Sequence, residues 1–193
     1  MPVFGLVVAG PYDDLILSTL VRRIRPDVAG VKCRACGNDP QVTTKFRSYL
    51  KELRYANDGR PVDKAIVVRD CHRGRGDPAA VLDGLRSNFR EQEHPFPVRF
   101  AVVQPEPEAW LLADQNALAQ LAAERGHPTD FTPLNFPPEQ LPDPKEELKS
   151  LLRTAGVPYT RQAAARLAEV CDLGLIEALC PSFTFFKRAV TDC

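Results

Sequence analysis

The chain has 193 residues with 25 basic and 25 acidic side chains, a formal net charge of zero, so no whole-molecule field draws it to nucleic acid or to an anionic membrane. That length suits one compact domain with room for a small appendage. No run approaches the roughly 18–20 apolar residues of a membrane span, so a membrane is not an expected partner, and any nucleic-acid contact must come from a local basic patch.

Val3 to Ala9 is a short apolar run closed by Gly10-Pro11, which reads as a first buried strand and a tight turn. Asp13 or Asp14 can cap the helix that follows, in which Ile16, Leu17, Leu20, Val21 and Ile24 fall at helical spacing. The run lacks the basic flank of a signal peptide, so the cytoplasm is the expected compartment. There the six cysteines should be thiols or metal ligands rather than a disulfide framework. A second strand is expected over Val28 to Lys32, a loop over Cys33 to Pro40, and an amphipathic helix over Val42 to Leu53.

After the turn residues Asn57 to Pro61, the β-branched run Ala65 to Val68 reads as a buried strand delivering Asp70 and His72 to a sheet edge. A loop rich in Gly and Arg follows, then a helix opened by Asp77-Pro78, then a fourth strand over Val98 to Val103. Strands alternating with helices predict a mostly parallel four-stranded α/β sheet covered on both faces. Glu108 to Ala123 can form one or two helices, Gly126 to Pro144 is a proline-rich arm, and Lys145 to Asp192 should form three or four short helices.

In a parallel sheet the carboxyl ends of the strands share one edge, where ligands bind. Asp13 follows the first strand, Asp70 ends the third, and Glu106 and Glu108 follow the fourth. Carboxylates gathered there repel unless a cation or proton joins them. Oxygen ligands favour Mg²⁺, and an imidazole beside them moves the choice towards Mn²⁺. The expected metal ligands are Asp70, His72 and Glu108, with Asp13 a further ligand or supporting group. Arg73, Arg75 and Lys145 are the expected phosphate contacts, because a guanidinium fork matches phosphate oxygens. Taken singly, Asp13, Asp70, Asp77 and Glu108 read rather as caps of helices and loops or as solvated groups, and it is their joint position at the strand ends that points to a metal.

Ala9-Gly10-Pro11-Tyr12-Asp13 and Asp70-Cys71-His72 resemble two motifs of the Toprim domain of topoisomerases, primases and overcoming-lysogenization-defect nucleases: a strand-ending Glu-Gly with an Asp three residues on, and a strand-ending Asp-x-Asp. Glu108 to Asp114, Asp143-Pro-Lys145 and Cys180-Pro-Ser-Phe183 are similar to a small Toprim-like bacterial family often encoded beside ABC-type ATPases. The resemblance implies a Toprim/Rossmann-like α/β domain over residues 1–125. It implies a proline-rich arm and helical C-terminal appendage, packed on that domain, over residues 126–193. It also implies a divalent-metal-dependent phosphodiesterase or nuclease component of an ATPase-linked DNA-processing or phage-defence system. Two positions depart from the pattern. Ala9 stands where the family has its acid/base or metal-site Glu, and His72 where it has a second Asp. The residues therefore leave two readings: a rearranged metal site built from Asp13, Asp70, His72 and Glu108, or an inactive partner of an ABC-type ATPase.

Cys33-Arg-Ala-Cys36 has zinc-knuckle spacing but no adjacent second pair, so a reduced thiol pair in a loop is preferred to zinc. Trp110 is expected in the core, and Phe183, Phe185 and Phe186 along the seam that docks the last helix. Ser182 lacks the context of a nucleophile elbow.

Overall fold

Alternation along each strand sends side chains to two sheet faces, and here both faces are apolar, as a parallel sheet covered on both sides requires. The computed structural model describes residues 1–72, 74 and 76–192, so Arg73, Arg75 and Cys193 lie outside the described residues. Strands β1 (Val3–Val8), β2 (Gly30–Ala35), β3 (Lys64–Asp70) and β4 (Val98–Val103) form one four-stranded sheet in the order β2-β1-β3-β4. Every pairing is parallel, which gives the four-stranded parallel α/β sheet flanked by helices expected from the sequence. Among the described residues no helix is long and apolar enough to cross a membrane.

Leu6, Val8, Ile66, Val68, Ala101 and Val103 point to one face, where α1 (Pro11–Ile24) and the C-terminal helices share a continuous core with them. Val7, Ala9, Ala65, Val67 and Val98 point to the other, under α2 (Asp39–Leu53) and α3 (Pro78–Ser87). Gly5 lets α2 close on β1, since a Cβ there would stand 2.5 Å from a Leu53 methyl.

After β4 come the single turn α4 (Glu108–Leu111) and α5 (Gln115–Glu124). The proline-rich arm has one 3-10 turn, Pro138–Gln140, and Phe131, Leu134 and Leu141 hold it to the core. Four helices complete the chain: α6 (Pro144–Thr154), α7 (Arg161–Val170), α8 (Leu173–Leu179) and α9 (Pro181–Thr191). Trp110 is fully buried, with ring centroids of Phe183 and Phe186 at 5.2 and 5.4 Å. Phe185 departs from the expected seam: it is 61% exposed, because the helical period turns it away from the face that carries Phe183 and Phe186.

Two boundaries differ from the sequence reading, with one physical cause. β2 runs Gly30–Ala35 rather than Val28 to Lys32, and α2 starts at Asp39 rather than Val42. The β1–β2 ladder continues through Cys36 N–H to Val8 O at 2.9 Å and Gly37 N–H to Ala9 O at 2.8 Å, which draws Cys33 out of the expected loop into the strand. The loop is left short. Asn38 then caps α2 by accepting the Gln41 N–H at 3.0 Å, and Pro40 sits in the first turn, where its missing N–H costs nothing.

Candidate metal centre at the carboxyl edge of the sheet

Each of the four strands leads into an acidic residue at the same edge: Asp13 in the first turn of α1, Asp39 at the start of α2, Asp70 at the end of β3, and Glu106 and Glu108 beyond β4. Asp70 continues the alternation of Ile66 and Val68 and is 9% exposed. Asp39 reaches it from α2: its Oδ1 accepts the Asp70 backbone N–H at 3.2 Å, and its Oδ2 lies 3.2 Å from His72 Nε2. Ligating atoms of Asp39, Asp70 and His72 all fall within 4.8 Å of one another. Asp39 was not a candidate in the sequence reading, which placed it in a loop. The triplet Asn38-Asp39-Pro40 carried the signal, since a capping Asn followed by Pro opens a helix and puts the Asp between them at its positive end.

The expected ligand Glu108 occupies a different part of the edge. It is 1% exposed, accepts the Tyr159 hydroxyl hydrogen at 3.0 Å and stands 3.0 Å from Lys145 Nζ, all through Oε1. Its Oε2 is buried without a hydrogen-bond partner. The Lys145 ammonium also sits 4.4 Å above the Tyr12 ring. Glu106 Oε1 accepts the Lys145 backbone N–H at 2.7 Å, tying the start of α6 to the same edge. Asp13 does cap its helix, its Oδ2 accepting the Gly10 N–H at 2.7 Å. Capping and membership of the acidic edge therefore coexist in one residue. Tyr12, Tyr159 and Glu106 complete this half of the site. The tyrosines gave no sequence signal, because only the fold brings Tyr159 to Glu108.

Burial and mutual repulsion mark this edge electrostatically. Asp13 is raised to about 7, chiefly by burial and then by Glu108, with the Gly10 N–H and Lys145 acting in the opposite sense. Asp70 is raised well above the ordinary carboxylate range by burial and then by Asp13, Asp39, Glu108 and Glu106. Glu106 is raised by burial and then by Glu108. Burial works against the charge of Lys145, but Glu108, Asp13 and Glu106 outweigh it and raise its affinity for the proton. Cation shortage is thus built in: five acidic side chains couple to one another, and among the described residues Lys145 is the cation paired with them.

A divalent ion fits this shortage. Two carboxylates and an imidazole within reach of one point are a donor set for Mn²⁺ or Mg²⁺. The Cys33 and Cys36 thiols show no such convergence, and burial raises both, Cys36 to about 11. Beside His72 a cleft of about 530 Å³ opens between Cys71 and Gly74 on one side and Gln104, Pro105, Glu139 and Leu179 on the other.

No family model matches the chain, and no curated protein matches it. Among solved structures, it is similar to the C-terminal region of the Burkholderia pseudomallei OLD protein, at 15% identity over 97% of this chain and 98% of that one, with a TM-score of 0.49. It is also similar to the C-terminal region of the Xanthomonas campestris pv. campestris OLD protein, at 17% identity over 97% of this chain and 95% of that one, with a TM-score of 0.44.

Proposed function

We propose that this chain is a divalent-metal-dependent phosphodiesterase, the nuclease-type component of an ATPase-linked system. The observation that carries the reading is the convergence of Asp39, Asp70 and His72 at the carboxyl edge of an all-parallel sheet, inside a wider ring of carboxylates with raised proton affinity. Asp39, Asp70 and His72 would hold Mg²⁺ or Mn²⁺. Bound there, the ion would orient a phosphodiester, lower the pKa of a water and stabilise a leaving oxygen.

The chain's own groups have distinct parts in this reading. Asp39 holds the backbone of Asp70 and the ring of His72 in place. Lys145 neutralises Glu108 and, as an ammonium with three donors, retains N–H bonds for a phosphate oxygen. Asp13, Glu106 and Glu108 keep the local potential negative until a cation arrives. The cleft beside His72 receives the chain flanking the phosphate, and Arg73 and Arg75, which lie outside the described residues, are the proposed phosphate contacts.

The departure at Ala9 is consistent with a rearranged site. Ala9 follows the alternation of Val7 and packs with Cys36 and Val42 under α2. A carboxylate delivered from the first turn of α2 therefore approaches the edge from the face that a longer side chain at position 9 would use. Ala9 also favours the second reading, a silent partner of an ABC-type ATPase, because a methyl group neither ligates metal nor carries a proton.

The experiment is cleavage of end-labelled DNA and RNA with Mn²⁺ or Mg²⁺, by wild type and Asp70→Asn. Metal-dependent cleavage lost in the variant is the expected result. No cleavage of either nucleic acid with either ion would overturn the phosphodiesterase reading and leave the partner reading.

A further inference from the structure

β4 is an edge strand. The ladder fixes which of its backbone groups face outward. Ala65 N–H donates to Pro97 O at 3.0 Å and Cys71 N–H to Val103 O at 2.8 Å, so residues 97, 99, 101 and 103 turn their polar groups to β3. Val98, Phe100 and Val102 turn theirs away. Val98 O takes the Arg99 guanidinium at 3.4 Å, and past the strand the Gln104 N–H donates to Ser182 Oγ at 3.2 Å. Phe100 and Val102 keep outward N–H and C=O groups with no partner among the described residues.

α3 and α9 flank this edge, one on each face, and the three elements line a cleft of about 900 Å³. Leu82 and Phe89 on one wall and Phe185 on the other make it apolar, and Phe185 is the most exposed of its aromatic residues, at 61%. Its charges are balanced: Arg86, Arg99 and Arg188 accompany Asp77, Glu91 and Asp192. That balance suits a surface of the same composition better than a polyanion.

We propose that β4 pairs antiparallel with β4 of a second copy of this chain across a twofold axis, joining two four-stranded sheets into one of eight strands. An isologous contact sets each residue against the opposite end of the same element in the other copy. Asp77, at the N-cap of α3, is then brought to Arg86 in the last turn of the second copy's α3. On the other face, Phe185 of one α9 lies along Ala189 and Arg188 of the other. The outward groups of Phe100 and Val102 complete their hydrogen bonds in the new ladder, and an exposed edge that would otherwise template aggregation is closed. Because the two sheets run in opposite directions, the two acidic edges face opposite ways, and each site is complete within one copy.

Sedimentation equilibrium tests the proposal. Val102→Pro is suited to it, since the Val102 N–H points outward. The proline leaves the β3–β4 ladder intact and removes a donor from both copies, with at least about tenfold weaker self-association expected. Phe185→Glu attacks the same interface from the helix, with far-UV circular dichroism confirming the fold of each variant, and it decides the matter if Val102→Pro fails to fold. The wild type should sediment as a dimer and both folded variants shift towards monomer. A wild type that is monomeric at about 100 μM, some hundredfold above a micromolar dissociation constant, overturns the proposal and leaves the edge to a different chain. A dimer equally tight in both folded variants overturns it too, by placing the interface elsewhere.

Discussion

Asp39 Oδ1 accepts the Asp70 backbone N–H at 3.2 Å while Asp39 Oδ2 stands 3.2 Å from His72 Nε2, so one carboxylate from α2 spans the segment that ends β3. The hydrogen bond needs an oxygen, and the charge is a separate matter. Asp39→Asn keeps an acceptor for the Asp70 N–H and removes one of the charges that raise Asp70 and Asp13. In the presence of a chelator at pH 8, its thermal midpoint should equal or exceed that of the wild type. A fall of several degrees would mean that the negative charge of Asp39 supports the fold.

The pH dependence of stability follows from Asp13. Its folded value, about 7, lies above the ordinary 3.8, so between these values the native state holds more protons than the unfolded chain. Stability therefore falls as pH rises through this window. The burial and repulsion at Asp13 alone are worth about 4 kcal/mol at most once it is fully ionised, and Asp70 and Glu106 act in the same direction. Urea denaturation with a chelator should show greater stability at pH 5 than at pH 8, and Mn²⁺ should restore the loss at pH 8. Stability that rises from pH 5 to pH 8 without metal contradicts this.

Lys145 tests the balance from the other side. Its ammonium is 3.0 Å from Glu108, which is 1% exposed, while Lys145 keeps 30% of its side chain in solvent. Lys145→Met leaves the Glu108 charge with the Tyr159 hydroxyl as its hydrogen-bond donor among the described residues and should cost about 1–3 kcal/mol, less than a fully buried pair would. The cost should be larger at pH 8, where the neighbouring Asp13 is ionised, than at pH 5, where it holds its proton. Equal losses at both values would show that packing on Tyr12 is what Lys145 contributes.

Ser182 joins three elements through one buried hydroxyl. It accepts from Trp110 Nε1 at 3.0 Å and from Gln104 N–H at 3.2 Å, and it donates to Glu139. Ser182→Ala leaves the indole and carboxylate without that partner and should cost about 1–3 kcal/mol by urea denaturation. Trp110→Ala should cost more, about 3–5 kcal/mol, because it also opens a cavity against Phe183 and Phe186. A Ser182→Ala cost below about 0.5 kcal/mol would show that the hydroxyl is dispensable to this cluster.

The sheet was legible because β1, β3 and β4 are apolar runs long enough to cross a buried layer, and Asp13, Asp70 and Glu108 were placed at one edge by the parallel topology those runs imply. β2 was displaced because two of its six residues, Lys32 and Arg34, are charged on an edge strand, and it gains its bonds from β1 rather than from its own pattern. Asp39 escaped notice for the same reason: once β2 was placed early, a loop absorbed the start of α2. Tyr159 and Lys145 reach Glu108 across long sequence separations, and nothing local records such a contact. The division of Glu108 from the Asp39, Asp70 and His72 group is likewise a product of packing, set by the docking of α6 and Tyr159.

Mn²⁺ titration calorimetry at pH 8 on the wild type, Asp39→Asn and Asp70→Asn tests the central claim most directly. One ion should bind the wild type, and each variant should weaken it by about 10–100-fold, with tighter binding at pH 8 than at pH 6 because protons compete for Asp70 and Asp13. A wild type that binds no Mn²⁺, or an Asp39→Asn protein that binds as tightly as the wild type, would contradict a metal centre built on Asp39, Asp70 and His72.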